Sequence, residues 1–424
     1  MPGPHPPSSS AAPGTDSRSV DFHQTSGPVR FNPYTEEFFE SPYAIYRRMR
    51  DEAPVYYSEE LNFFALTRYD DVAPAYRDFA TYSSARGVSV DMVNATKLKM
   101  PKGRVLIMMD PPEHELMRKL VNRVFTPRAV AGLEAMVATK IDSALARVDP
   151  RQFDVVSDFS ALFPMEIIAD MLGVPTEDRN ELRRLLDKGL ERQPGQALPT
   201  RESIDAMIAS GTYYFELVQK RRRQPQDDMI SRLIDTEVIE CGEARRLDDV
   251  EIAGFANMLG GAGAETVTKL IGNAIVVFAE HLDQWRRLRT DRDKVPAAFE
   301  ELLRFEGPSQ YNVRYSLKEV TLHGRTIPQG SAVMLINGAA NRDERAFPDP
   351  DRFDIDRERK VGFNLGFGYG IHSCLGAALA RMEGRIALNA LLDRLPDFEV
   401  DSDGLKRVNM TNVIGWSHVP VHAL

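Results

Sequence analysis

The sequence predicts a mostly α-helical protein with a smaller β-rich portion, and three observations predict it. Helical patterns punctuated by proline and glycine run from Pro112 to Arg292. Short strand-like runs occur at Val55 to Tyr57 and Phe63 to Thr67, then again beyond Pro308, so both ends of the chain supply them. No repeat or interior low-complexity linker divides the 424 residues, which predicts a single domain over residues 28–424.

Residues 1–27 are rich in Pro, Ser, Ala and Gly. They lack the basic segment and apolar core of a secretory signal, so they read as a disordered tail. Tyr43 to Asp51 is an amphipathic helix that stops before Ala53-Pro54. Leu247 to about Leu288 reads as one long helix, starting near Asp248-Asp249 and containing Gly260-Gly261-Ala262-Gly263. Past Pro308, Val313 to Tyr315, Val320 to Leu322, Thr326-Ile327 and Val333 to Ile336 read as strands. Tight turns at His323-Gly324 and Gln329-Gly330 join them. Phe347 to Phe353 is irregular, and Phe398 to Val421 is strand-like again.

Composition excludes several classes. A net charge of −9 argues against nucleic acid as a partner, and the run Lys220-Arg221-Arg222-Arg223 is read as the solvated end of a helix. No stretch of eighteen or more apolar residues predicts a membrane span. Two cysteines, Cys241 and Cys374, build no disulfide framework and fit a reducing cytoplasm.

Four motifs carry chemistry. Phe367-Gly368-Tyr369-Gly370-Ile371-His372-Ser373-Cys374-Leu375-Gly376 sets a cysteine in a glycine-rich loop before a helix. Helix-end N–H groups favour a thiolate there, which suits a metal or haem-iron ligand or a nucleophile. Gly263-Ala264-Glu265-Thr266-Val267 puts an acid and an alcohol in a helix weakened by glycine, either for close packing or for an opened groove. Glu301-Leu302-Leu303-Arg304 is an i,i+3 ion pair, by itself a common surface feature. His114 and Arg118 share one helix face after Asp110-Pro111-Pro112.

The spacing Phe-x-x-Gly-x-His-x-Cys-x-Gly resembles the haem-binding signature of the cytochrome P450 monooxygenases. The other motifs follow in that family's order, from about Phe31 to the C-terminus. The resemblance implies the cytochrome P450 fold as a single haem domain. It implies haem b, with Cys374 as iron ligand and Phe367, Gly368, Gly376 and Ala262 against the cofactor. His114, Arg118, Arg314 and His372 would answer the two haem propionates, while Asn312 stands where relatives can carry an acid. Thr266 and Glu265 would be the catalytic alcohol and acid, with Glu in place of the commoner Asp and Val267 in place of a second Thr. Glu301, Arg304 and Arg352 would form a buried network holding the cysteine loop.

The chain carries no flavin or ferredoxin motif, so electrons are expected from a separate ferredoxin and ferredoxin reductase. Arg118, Lys119, Arg123, Arg128, Arg381 and Arg385 are the expected basic dock for an acidic ferredoxin. The substrate is expected to be a lipophilic small molecule: a terpenoid, steroid, branched lipid or polyketide. Its pocket would be lined by the irregular stretch Val88 to Val93, by Phe255, Met258, Leu259 and Ala262, by Ser309 to Val313, and by Val413 and Ile414. Two other readings compete. A peroxygenase would replace the acid–alcohol pair, and a non-catalytic haem sensor or carrier would not need Thr266.

Overall fold

The computed structural model describes residues 27–95, 105–122, 124–240, 243–358 and 362–424. The tail expected at residues 1–27 lies almost wholly outside the described residues, as do Cys241 and Arg123. Helices form the larger part: α1 (Tyr43–Glu52), α2 (Tyr69–Arg77), α3 (Val90–Asn94), α4 (Glu113–Asn122), α5 (Arg179–Leu190), α6 (Arg201–Arg223), α7 (Asp249–Glu280), α8 (Val295–Phe305) and α9 (Ala377–Arg394) position the site. A five-stranded sheet joins the two ends of the chain. Its strands are β1 (Val55–Ser58), β2 (Phe63–Leu66), β3 (Tyr82–Ser83), β4 (Asn312–Ser316) and β7 (Ala332–Leu335), in the order β1-β2-β7-β4-β3. Only the β2–β7 pair is parallel, with Val333 beside Phe64. A hairpin of β5 (Val320–Leu322) and β6 (Arg325–Ile327) turns at His323 and Gly324, both at positive φ.

α7 runs through the middle of the main core. Its start is a capping box, in which Asp248 accepts from the Val250 and Glu251 N–H groups and Glu251 reaches back to the Asp248 N–H. Glycines let neighbours come close: a Cβ at Gly260 would lie 2.3 Å from the Tyr214 hydroxyl of α6, and one at Gly272 would lie 2.8 Å from Val156. The helix is shorter than expected. His281 leaves helical geometry, its ring nitrogen pairs with the Val277 carbonyl, and Leu282–Thr290 forms a separate helix. By length and composition α7 is able to cross a bilayer, yet 72% of its most apolar window is buried within the protein, as suits a core helix.

Two smaller apolar clusters lie on either side of the sheet. One packs Phe31, Tyr46, Phe63, Val313 and Met334, and the other packs Val55, Phe64, Val72, Val333 and Leu365. Strand alternation explains the split, because Val313 and Arg314 leave opposite faces of β4.

Candidate active site

The cysteine loop owes its shape to glycine. Gly368 and Gly370 sit at φ of 66° and 74°, and a Cβ at Gly370 would lie 2.5 Å from the Tyr76 carbonyl oxygen. The Cys374 N–H donates to the Phe367 carbonyl at 2.8 Å, and Gly376 caps α9. Phe367 stacks on Phe299 of α8 with the Arg381 guanidinium 4.7 Å over its ring. Arg118 Nη2 donates to the Ser373 carbonyl at 2.7 Å, tying α4 to the loop. No atom of the described residues lies within 4 Å of a Cβ placed on Gly376.

The Cys374 thiol is accessible at the loop surface, yet it is sunk deep in the body of the protein. That depth pushes its pKa up, against the Gly376 N–H, Arg118 and Arg381, which all pull it down. The Gly376 N–H at the helix start favours the thiolate, and burial works against it. Charge on this sulfur calls for a cation bound to it.

Beside the loop, the His114 and His372 rings meet edge to face at 4.4 Å. His114 Nδ1 and Nε2 and His372 Nε2 are buried with no partner among the described residues. Burial, then Arg118, lowers the His114 pKa; burial, then Arg314 and His114, pushes His372 down to about 3. Arg314, only 5% exposed, donates Nη1 to its own Val313 neighbour's carbonyl and lies over the Tyr76 ring. Asn312 donates to the Tyr76 hydroxyl at 2.9 Å instead of facing this cluster as an acid. The nearby carboxylate of Asp110 is taken up by Ser83 and Ser84. Buried imidazole nitrogens without partners are costly. A ligand bearing two carboxylates fits this place, and haem is such a ligand.

On α7 the residues Met258, Ala262 and Thr266, at four-residue intervals, are open, while Ala264, Glu265, Val267 and Thr268 are buried. One stripe of the helix is therefore left uncovered by packing. The Thr266 hydroxyl donates to the Ala262 carbonyl at 3.0 Å, leaving its oxygen lone pairs to accept. Glu265 turns elsewhere: it is 6% exposed and pairs with Lys269 Nζ at 3.1 Å, and its charge helps raise the pKa of Asp187 on α5.

Glu301 takes Arg304 Nε and Nη2 at 2.8 and 2.7 Å. The third member of this network is corrected. The Arg352 side chain is 70% exposed and only its carbonyl meets Arg304, whereas Arg357 Nε reaches Glu301 at 2.9 Å. The two arginines flank buried Phe353 and Ile355, and Arg357 is the one whose side chain turns inward.

The expected pocket list divides. Val88, Met258 and Val413 are partly open, whereas Val93, Phe255 and Leu259 are nearly closed over by packing. Val313 and Ile414 are fully buried in the cluster beneath the sheet, which corrects their expected contact with substrate. The stretch after Val88 is the short helix α3. Over this region the end of α5 pairs with the tip of the C-terminal hairpin, whose strands are β8 (Lys406–Arg407) and β9 (Trp416–His418). Arg192 N–H donates to Asn409 O at 2.8 Å, Thr411 N–H to Leu190 O at 3.4 Å, and Gly195 N–H to Tyr34 O at 2.6 Å.

Of the expected basic dock, Arg118 faces inward, Arg381 pairs with Glu300 and Arg385 with Glu134, while Lys119 and Arg128 are exposed. Sequence reasoning missed Arg357, Asp187, Lys269 and Tyr76. Lys269 had a signal, being four residues from Glu265 on one helix face; Asp187 and Tyr76 arrive from distant helices and had none.

Residues 201–418 match the family model for cytochrome P450. The chain is 41% identical to the putative cytochrome P450 123 of Mycobacterium tuberculosis, covering 92% of this chain and 96% of that protein. It is 34% identical to the vitamin D(3) 25-hydroxylase of Pseudonocardia autotrophica, covering 94% and 97%. Among solved structures it resembles CYP109E1 from Bacillus megaterium in complex with testosterone, with a TM-score of 0.81, 33% identity and coverage of 92% and 99%. A helical fold with a glycine-built thiol loop beside a cluster of buried bases fits a haem-thiolate protein. The chain belongs to the cytochrome P450 family. It is a monooxygenase, and its cofactor is haem b.

Proposed function

We propose that the enzyme hydroxylates a lipophilic small molecule of steroid-like size, using dioxygen and electrons from a separate ferredoxin and ferredoxin reductase. The observation that carries the haem side of this reading is the set of buried nitrogens of His114 and His372 that have no partner among the described residues. Cys374 would ligate the iron, and His114, Arg118, Arg314 and His372 would hold the propionates, with Phe367, Gly368, Gly376 and Ala262 against the ring. When bound, haem supplies thiolate-assisted cleavage of the O–O bond. The protein's own tasks are binding, orientation and proton delivery. Arg118 and the Glu301–Arg304–Arg357 network hold the loop that presents the sulfur. Thr266 offers a hydroxyl on the open stripe, and Glu265 holds a carboxyl one residue away for moving protons.

The substrate class rests on likeness and lining together. One relative is named for vitamin D(3) and one neighbour structure holds testosterone, while Val88, Met258 and Val413 offer an aliphatic, adaptable surface. Electron delivery would occur beside the cysteine loop, where exposed Lys119 and Arg128 and half-exposed Arg381 suit an acidic partner.

The test is carbon monoxide on the reduced holoenzyme. A Soret band of thiolate-ligated haem that vanishes in Cys374→Ser, with haem retained, is the expected result; an unchanged band overturns it. Testosterone and vitamin D(3) are then titrated as probes for a low-to-high spin shift, and no shift with either sinks the steroid-sized reading.

A further inference from the structure

Helix α6 leaves an apolar stripe uncovered on its outer face. Its inner face is packed, with Ala206, Ser210, Tyr214, Leu217 and Arg221 all buried. On the outer face Ile204 and Ile208 are 38% and 62% exposed, and Phe215 stays partly open further along. Steps of four, three and four residues set Ile204, Ile208, Gly211 and Phe215 in one line. No atom of the described residues lies within 4 Å of a Cβ placed on Gly211. A ring or a backbone from outside can therefore come close at the middle of the stripe. Single exposed apolar residues are ordinary, but a continuous line of them is a contact surface.

Charge along one flank of the stripe says what covers it. Glu202 and Asp205 stand at the start of α6 and Lys220 and Arg223 at its end, all on the same side. When a second copy lies antiparallel against the first, this flank meets itself in reverse order. Centred beside Thr212, which is exposed, the pairing sets Glu202 against Arg223 and Asp205 against Lys220, twice over. Glu216 then faces Ala209, so no like charges stand directly opposite. Ile208 comes opposite Phe215, beside the space at Gly211. Lys220 and Arg223 make no ion pair among the described residues. Glu202 is shared with Lys188 and Asp205 with Arg201, each at 3.0 Å, in solvent-exposed pairs that hold little energy. Arg222 lies off this flank and is held by Asp249.

We propose that this face of α6 is where two copies of the chain meet, antiparallel about a two-fold axis beside Thr212. The helix has 23 residues and is about 34 Å long. Along a strip about 10 Å wide, each copy covers roughly 300–400 Å², under the about 800 Å² per partner of a standard interface. The pair is therefore weak and exchanging, with a Kd of about 10–100 µM. The net charge of −9 on each copy adds repulsion that keeps it so. The contact is separate from the oxidation chemistry, because no residue of the cysteine loop or of the open α7 stripe takes part.

Sedimentation velocity of the holoenzyme from about 1 to about 200 µM reads the equilibrium. A concentration-dependent passage from monomer to dimer is expected, and a monomer throughout overturns the proposal. Ile208→Lys should weaken the pair at least about tenfold, with the Soret spectrum and melting temperature unchanged. Asp205→Lys should weaken it too, and adding Lys220→Asp should bring the dimer back. A dimer indifferent to Ile208→Lys, or a charge exchange that restores nothing, overturns the antiparallel pairing. A chain that stays monomeric yet sediments with phosphatidylcholine vesicles, and no longer does so as Ile208→Lys, overturns it in favour of a lipid surface.

Discussion

Arg357 donates its Nε to Glu301 Oε1 at 2.9 Å, from the far side of the carboxylate that Arg304 grips with two nitrogens. Arg357 also donates to the Pro348, Asp349 and Arg352 carbonyls, so it knits the irregular stretch to α8. Arg357→Ala should cost about 1–3 kcal/mol, because Glu301 keeps Arg304 but loses a buried charged donor. Arg352→Ala should stay within about 0.5 kcal/mol. Denaturant midpoints of the two variants check this, and a larger cost for Arg352→Ala would reverse the assignment.

Gly370 has no room for a methyl group. In Gly370→Ala the new Cβ meets the Tyr76 carbonyl, and φ of 74° is itself strained for alanine. A loss of about 1–3 kcal/mol is expected, together with a diminished thiolate-haem band with carbon monoxide. Gly376→Ala, which meets nothing within 4 Å on the protein side, should be the milder change in the haem-free protein. Equal melting temperatures for the two variants without haem would contradict this.

The basic surface beside the loop predicts a graded response. Lys119→Glu and Arg128→Glu act on exposed charges, and each should lower the ferredoxin association rate and its salt dependence. Arg385→Glu places like charge against Glu134 and should also reduce stability, which a melting curve separates from docking. Stopped-flow reduction at low and high salt is the measurement; rates indifferent to all three changes would place the dock elsewhere.

Asp187 makes stability depend on pH with a definite sign. Burial, then Glu265, holds its pKa up at about 8, against an ordinary 3.8. Between these values the unfolded chain has released the proton and the folded chain keeps it. Stability from this group therefore falls as pH rises. Glu265 is held below its ordinary 4.5 because Asp187 and Lys269 outweigh the burial that would raise it. Its contribution is lost as pH falls through that lower range, a separate window. From about pH 5 to about pH 8 the melting temperature of Asp187→Asn should decline less than that of the wild type. Parallel curves would show that the carboxyl is already ionised.

Local signals in the chain located most of the elements and the loop, because glycine, proline and capping residues act within a few positions. Asp248 and Glu251 start α7 where a capping pattern stands in the sequence. The end of that helix was not legible, since His281 breaks it with a side chain able to compete for the Val277 carbonyl. Arg352 was chosen by position in a motif, and which of two nearby arginines turns inward depends on the path of irregular chain. Val313 and Ile414 look like pocket residues from their position, but strand alternation and core packing take them away from it. Asp187 lies far from Glu265 in sequence, and nothing short of the helix packing brings them together.

The backbone pairings of Arg192 with Asn409, Thr411 with Leu190 and Gly195 with Tyr34 tie three distant parts of the chain together. Because these bonds share one segment, their joint opening is the expected route of entry for a bulky guest. The rate at which those amides trade hydrogen for deuterium is then a clock for admission. A tightly held guest should slow it without touching any of them.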